Sequence, residues 1–243
     1  MKKVALITII LAAFAAGLFA QTGTEADPTK TGLVTAENAF QEISVSKMED
    51  AGFWYGIFPA DNGIIQVRDF PGGPKPYDEV ENPLGKKPIP EEEANGIIEN
   101  DERVVGAKVS FYRRGVIDFT LKPIRPLPVE GITKMVSVWV AGRNTQHRLE
   151  LLVSDHFGND AVIPMGKLNF SGWKRLTVTI PPHIKQRDYH YNDRMGLSID
   201  GFNVKCNIDE TYGRYYIYLD DLRATTDLYS EESRDADDIP DAW

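Results

Sequence analysis

Leu176-Thr-Val-Thr-Ile180, closed by Pro181-Pro182, decides the fold. Leu176, Val178 and Ile180 alternate with Thr177 and Thr179, which is the period of a strand with one buried face. The two prolines end it, because proline cannot donate to a sheet ladder. The pattern recurs on both sides. Upstream, Val105, Ala107, Val109 and Phe111 alternate with polar or small residues, and Arg113-Arg114-Gly115 follows as a turn. Ile117, Phe119 and Leu121 repeat it, as do Val136, Val138 and Val140, with Trp139 on the opposite face, and then Leu149, Leu151 and Val153. Downstream, Leu197 and Ile199 share one phase and Phe202 and Val204 the other, with Asp200-Gly201 between them as a hairpin turn or a bulge. Tyr215 to Leu222 makes a last strand. Short strands spaced by Gly, Asn, Asp and Pro, without βαβ alternation or a fixed repeat, predict an all-β antiparallel β-sandwich or jelly roll with long loops and few short helices.

The flanks are different. Lys2 and Lys3 precede an apolar run from Val4 to Leu18, and Leu18-Phe19-Ala20 offers a small residue before Gln21. This is the layout of a secretory signal peptide, residues 1–20, cleaved after Ala20. The run is shorter than the ~20 residues that cross a bilayer, so no membrane insertion is expected after cleavage. The formal charge is −9, and losing Lys2 and Lys3 makes the mature chain more acidic still. That argues against nucleic acid and anionic membranes as partners. The mature length of about 220 residues can bury a core without disulfides, and the one cysteine, Cys206, is in phase with Phe202, Val204 and Ile208 as a buried small side chain.

Residues 21–50 read as an N-terminal arm, with Ala36, Ala39, Phe40 and Ile43 at the spacing of a short helix capped by Thr35. The sandwich is expected over residues 51–226. Asn62-Gly63, between Phe53–Phe58 and Ile64–Phe70, signals a turn of hairpin type. Residues 71–93 are rich in Pro, Gly and charge and predict a long irregular loop, with Glu91-Glu92-Glu93 as a solvated run. Residues 227–243 form an acidic tail in which Arg234 faces Asp227, Glu231, Glu232, Asp235, Asp237, Asp238 and Asp241. Such a tail solubilises, or docks in trans with Trp243 as an apolar anchor.

The sequence carries little that resembles reactive chemistry. His147, His156, His183 and His190 lack zinc-ligand spacing, and there is no nucleophile elbow or phosphate loop. Asp155-His-Phe-Gly-Asn-Asp160 has calcium-like residue types without a calcium loop's spacing and reads as a β-turn. Asp220-Asp221 are adjacent on a strand and should point to opposite faces, which disfavours a glycosidase pair. A strand-end role with Arg223 fits them better, with a structural calcium as the lesser alternative. No catalytic residue and no cofactor is expected.

Several stretches occur together in order: Gly131-Ile-Thr-Lys, Ser137-Val-Trp-Val-Ala-Gly-Arg, Ser154-Asp-His-Phe-Gly-Asn, Met165-Gly-Lys-Leu-Asn-Phe-Ser-Gly-Trp-Lys, and Glu210-Thr-Tyr-Gly-Arg-Tyr-Tyr-Ile-Tyr-Leu-Asp-Asp-Leu-Arg-Ala. Arg234-Asp-Ala-Asp-Asp-Ile-Pro-Asp-Ala-Trp ends the series, and Phe53-Trp54, Asp61-Asn-Gly-Ile-Ile and Phe111-Tyr-Arg-Arg-Gly precede it. From about Ala51 to Trp243 the chain resembles the spirochaete flagellar filament outer-layer (sheath) proteins, the FlaA-like family. The resemblance implies a non-catalytic structural protein of the periplasm, on the periplasmic flagellum. Its expected partners are core flagellins, other sheath proteins and further copies of itself. The expected function is to coat the flagellin core and tune filament stiffness, shape and motility; the alternative is a periplasmic carbohydrate-binding module. Candidate partner-binding residues are the aromatics Trp54, Tyr55, Tyr189 and Tyr191, which offer rigid area with a polar edge, and Asp237, Asp238 and Trp243 of the tail.

Overall fold

The computed structural model describes residues 40–96, 101–188 and 192–227. They form thirteen strands: β1 (Phe40–Ser46), β2 (Trp54–Ile57), β3 (Gly63–Pro71), β4 (Arg103–Phe111), β5 (Asp118–Pro123), β6 (Leu127–Glu130), β7 (Ile132–Arg143), β8 (Arg148–Ser154), β9 (Asp160–Lys167), β10 (Ser171–Thr179), β11 (Arg187–Asp188), β12 (Asn192–Lys205) and β13 (Arg214–Asp227). One short helix, α1 (Pro90–Ala94), closes the long loop after β3. The strands build two antiparallel sheets, β10-β7-β13-β4-β3 with β1 added to β13, and β2-β5-β12-β8-β9 with β6 and β11 added to β12. The chain is thus a β-sandwich, as the period-two runs predict. Among the described residues no helix is long and apolar enough to cross a membrane.

The alternating valines and leucines meet between the sheets. Val105, Val109, Val136, Val138, Val140 and Leu219 from the first sheet are fully buried with Leu121, Leu149, Leu151, Ile199 and Phe202 from the second. Each such side chain stabilises the fold by about 1.5–3 kcal/mol relative to exposure. Cys206 joins this core, and burial raises its thiol pKa to about 12, so it packs as a hydrophobe.

Each sheet is organised by one long strand that changes partner midway. β13 pairs with β7 along one edge. Along the other edge it pairs with β4 as far as Leu219 and with β1 from Leu222 onward. β12 does the same, with β6 up to Ile199 and β5 from Phe202. The register slips at both changeovers, between Asp220 and Arg223 and between Ile199 and Gly201. A bulge there bends the long strand and increases its local twist, so that it can change partner. Asp200-Gly201 is therefore a bulge inside one strand rather than a hairpin turn.

Three expectations are corrected. Phe40 to Ile43 is strand, not helix: β1 lies along the free edge of β13, and Ile43 and Val45 pack on the core. A helix of about two turns has too few bonds to compete with a paired strand. Asn62-Gly63 is not a hairpin turn, because β2 and β3 belong to different sheets. Gly63 is needed for close approach: a Cβ there would sit 2.0 Å from the Ser110 carbonyl oxygen. Asp227 is buried in β13 opposite Phe40, so the last strand runs one turn of sequence beyond Leu222 and takes the first tail aspartate with it.

Candidate partner-binding face

The sheet built on β13 has an outer face, and its register lays the side chains out in rows. Arg68, Gly106, Tyr218 and Ala141 are consecutive partners across β3, β4, β13 and β7. Gln66, Lys108 and Tyr216 form the row on one side. On the other side Phe70 pairs with Val104, and Asp220 with Trp139. Val104, Trp139 and Asp220 are all buried, yet none belongs to the core between the sheets. The long loop after β3 lies over this part of the face, with the Gly73 backbone against Asp220 and Val104.

The loop is held there by charge. Lys86 Nζ lies 2.6 Å from Asp101, 3.0 Å from Asp220 Oδ2 and 3.6 Å from Asp221 Oδ2. Arg223 Nη2 donates to the Lys87 carbonyl at 2.7 Å and meets Asp221 Oδ2 at 2.6 Å. Its Nη1 is 3.7 Å from Glu42, which also pairs with Arg175. Nearby, Lys47 reaches Glu92 of α1 at 2.7 Å, so that glutamate is not simply solvated. Burial depresses the Lys86 ammonium, but Asp221, Asp220 and Asp101 outweigh it and hold its pKa above the usual lysine value. Asp220 shows the opposite balance: burial wins over Lys86 and pushes its carboxyl up to about 7. Oδ1 of Asp220 and of Asp221 has no hydrogen-bond partner among the described residues.

Asp220 and Asp221 both reach Lys86, against the expectation that strand neighbours diverge. The cause is local. Asp221 adopts a left-handed backbone, φ 50°, inside the bulge where β13 changes partner. The bulge re-aims its carboxylate to the side that Asp220 faces. The pair also sits mid-strand rather than at a strand end. Among the described residues no group of His, Cys, Asp and Glu is placed to hold a metal ion; the space between these carboxylates belongs to Lys86.

Beyond the loop the face is open. Phe70 and Tyr218 stand edge to face with ring centroids 5.6 Å apart. Gly106 lies beneath them, and a Cβ there would come within 2.6 Å of the Phe70 ring and 2.9 Å of the Tyr218 ring. The glycine lets both rings lie down on the sheet, and beside them is a notch of about 220 Å³ walled by Gln66, Arg68, Phe70, Lys108, Tyr216 and Tyr218. The Arg143 guanidinium stacks over Tyr218 at 5.5 Å. No acidic side chain lines the notch. The arrangement can desolvate one aromatic ring while presenting cations around it.

The residues singled out from the sequence fall in different places. Trp54 is a correction: it is 4% exposed and stacks on Phe202 at 5.9 Å, in the core, so its ring area is already used. Tyr55, its neighbour on β2, points outward and is 44% exposed. Tyr189, Tyr191, Asp237, Asp238 and Trp243 lie outside the described residues. Trp139 is buried, but under the loop side of the outer face rather than between the sheets. Asp155 accepts from the backbone amides of Phe157 and Asn159, which is the expected turn. Lys86, Gly106, Arg68 and Lys108 were not singled out. Only Arg68, flanked by Gln66 and Phe70 on the polar phase of β3, carried a local signal.

The profile of the flagellar filament outer layer protein Flaa family matches residues 24–235. The chain belongs to that family. A putative flagellar filament outer layer-like protein of Brachyspira hyodysenteriae is 36% identical over 228 residues, which is 89% of this chain and 98% of that one. A flagellar filament outer layer protein of Spirochaeta aurantia is 27% identical over 117 residues, 44% of this chain and 35% of its own. Among solved structures, a family 11 carbohydrate-binding module of a Clostridium thermocellum cellulosomal cellulase aligns with 78% of this chain and 97% of its own, at 9% identity and a TM-score of 0.40. The FlaA family is one of structural filament proteins, and membership places this chain with the flagellar filament.

Proposed function

We propose that the protein is a sheath subunit. It is exported to the periplasm by residues 1–20, coats the flagellin core of the periplasmic filament and tunes the stiffness, shape and motility of that filament. The single supporting observation is the family match across residues 24–235, which takes in the whole described sandwich. The physics is consistent with a coat. A filament repeats one heterologous contact without closing, so each subunit presents two different surfaces to its neighbours. Individual contacts can be weak because valency along a polymer compensates. Core flagellins and other sheath proteins are the partners, with Tyr55, Tyr189, Tyr191 and the acidic tail among the contact residues.

The experiment is deletion with filament imaging. Loss of the protein is expected to reduce filament diameter, alter curvature and impair motility, and the mature chain is expected to co-sediment with purified periplasmic filaments. Unchanged diameter, curvature and swimming would overturn the reading.

A further inference from the structure

We propose that the open notch around Gly106 receives the acidic segment 231–243 of a second copy of this chain. The inference rests on the sheath reading, because it concerns how neighbouring subunits are joined. Four observations carry it. First, in a chain of net charge −9 the notch and its rim present Arg68, Lys108 and Arg143 with no acidic side chain in the lining. Second, none of those three cations has an ion-pair partner among the described residues, whereas Lys86 on the same face is saturated with carboxylates. Third, the notch beside the paired Phe70 and Tyr218 rings is lined by Phe70, Tyr216 and Tyr218, an aromatic wall on which one more ring can pack. Fourth, segment 231–243 combines Glu231, Glu232, Asp235, Asp237, Asp238 and Asp241 with Trp243 and only one cation, Arg234. Charge and shape therefore match: carboxylates for the guanidinium and ammonium groups, an indole for the notch.

The topology favours a second copy over the same chain. Tyr216 and Tyr218 lie near the start of β13, and Asp227 is its last residue. Nine residues of strand separate Tyr218 from Asp227, roughly 30 Å. The direct route from Asp227 back along the outer face of β13 to the notch crosses the loop that Lys86 and Arg223 fasten over Asp220 and Asp221. A neighbour's segment can enter from the open side of the notch, and handing it on from copy to copy is a contact that repeats without closing.

The test uses the full mature chain carrying a photoreactive phenylalanine analogue in place of Trp243, mixed as light and nitrogen-15-labelled copies. Expected are cross-links between light and heavy copies that map to Gln66–Phe70 or Tyr216–Tyr218. They should fall at least tenfold in an Arg68→Glu, Lys108→Glu variant and recover when Asp237→Lys and Asp238→Lys are added. Thermal melts confirm that each variant is folded. Cross-links only within a copy, cross-links mapping elsewhere, or yields insensitive to the charge reversal would overturn the inference. So would retention on a glycan affinity gel that Phe70→Ala and Tyr218→Ala abolish while no inter-copy cross-link forms. Co-sedimentation with filaments separates the two readings. If wild type binds filaments but gives no inter-copy cross-link, the inference fails and the sheath reading stands. If wild type does not bind filaments, the sheath reading fails.

Discussion

The outer face of the β13 sheet is one surface treated in two ways. Around Asp220 a loop from the same chain lies on it, and the charges between them are buried and mutually neutralised: Lys86 against Asp101, Asp220 and Asp221, and Arg223 against Asp221. One row away, around Gly106, the strands are the same, but the charges are Arg68 and Arg143, both exposed, and the half-buried Lys108, all positive and without ion-pair partners among the described residues. The difference shows where this fold spends its ion pairs. A buried pair fixes a segment that has little apolar surface of its own, since the loop is mostly Pro, Gly and charge. An exposed set of cations contributes little to the monomer and is left for something else to neutralise.

The contrast breaks most severely at Lys86. Lys86→Ala leaves two aspartates, each 1% exposed, without their shared cation. Removing one partner of a buried ion pair costs about 3–5 kcal/mol. For a domain of this size that lowers the melting temperature by roughly 10 °C. The loss should shrink as the pH is lowered to 5, because the orphaned carboxylates then take up protons. A variant that melts within 2 °C of wild type, with Asp220 and Asp221 still protected from solvent, would mean that the loop is held by something else.

A smaller effect separates the halves by pH. Asp220 has a folded pKa of about 7 against 3.8 in the unfolded chain. The native state therefore holds more protons than the unfolded state between those values. Its contribution is fully present below pH 3.8 and is lost as the pH rises through about 7. Asp220→Asn removes this slope. Between pH 5 and 7.5 wild type should lose about 2–3 kcal/mol that the variant does not, read from urea unfolding at each pH. His147 runs the other way. Its fully buried imidazole accepts from the Asn207 amide, and burial lowers its pKa, so its contribution falls with acid. That slope is common to both proteins and cancels in the difference. Parallel stability curves for the two would show that Asp220 is ionised and fully matched by Lys86.

Gly106 tests the open half from within. Gly106→Ala puts a methyl group 2.6 Å from the Phe70 ring edge, so one ring must shift. Overpacking of this kind costs on the order of 1 kcal/mol. The obstacles are side chains rather than backbone, so the chain should fold, with a displaced Phe70 or Tyr218 ring pushed into the notch. A lower urea midpoint with an unchanged slope is the expected result. An unchanged midpoint together with undiminished inter-copy cross-linking would mean that the notch is not used.

The sandwich was legible because its strands have one buried face each, and period two survives in the sequence wherever that holds, as at Leu176–Ile180. It fails where both faces are covered. Trp139 lies on the phase opposite the core valines, yet it is buried on the outer face of its sheet, and only tertiary structure reveals that. The edge position of β1 was hidden for a similar reason: its partner lies some 180 residues away in β13. Asp220-Asp221 was legible as a charged pair but not as a converging one, because a single left-handed residue at the partner change reverses the alternation. Lys86 carried no local signal at all. A lysine in a Pro-rich loop reads as solvated, and its partner Asp220 lies 134 residues away. Trp54 and Tyr55 show how narrow the margin is: adjacent aromatics on β2 differ by one step of the pleat, and one is core while the other is surface.

The smallest expected effect is the one that most directly decides whether the open half is open. Arg68 and Lys108 make no ion pair among the described residues, and they sit beside each other's strands with like charge. Arg68→Ala and Lys108→Ala together should therefore change monomer stability by no more than about 0.5 kcal/mol, since surface substitutions away from special features stay in that range. Relief of like-charge repulsion and loss of the apolar surface that the two aliphatic stems cover act in opposite directions. The measurement is a urea midpoint at low protein concentration, where copies are apart. A loss above 2 kcal/mol would show that these cations hold the monomer together as Lys86 does. The two halves of the face would then be the same device, and the notch would have no cations free to bind a neighbour.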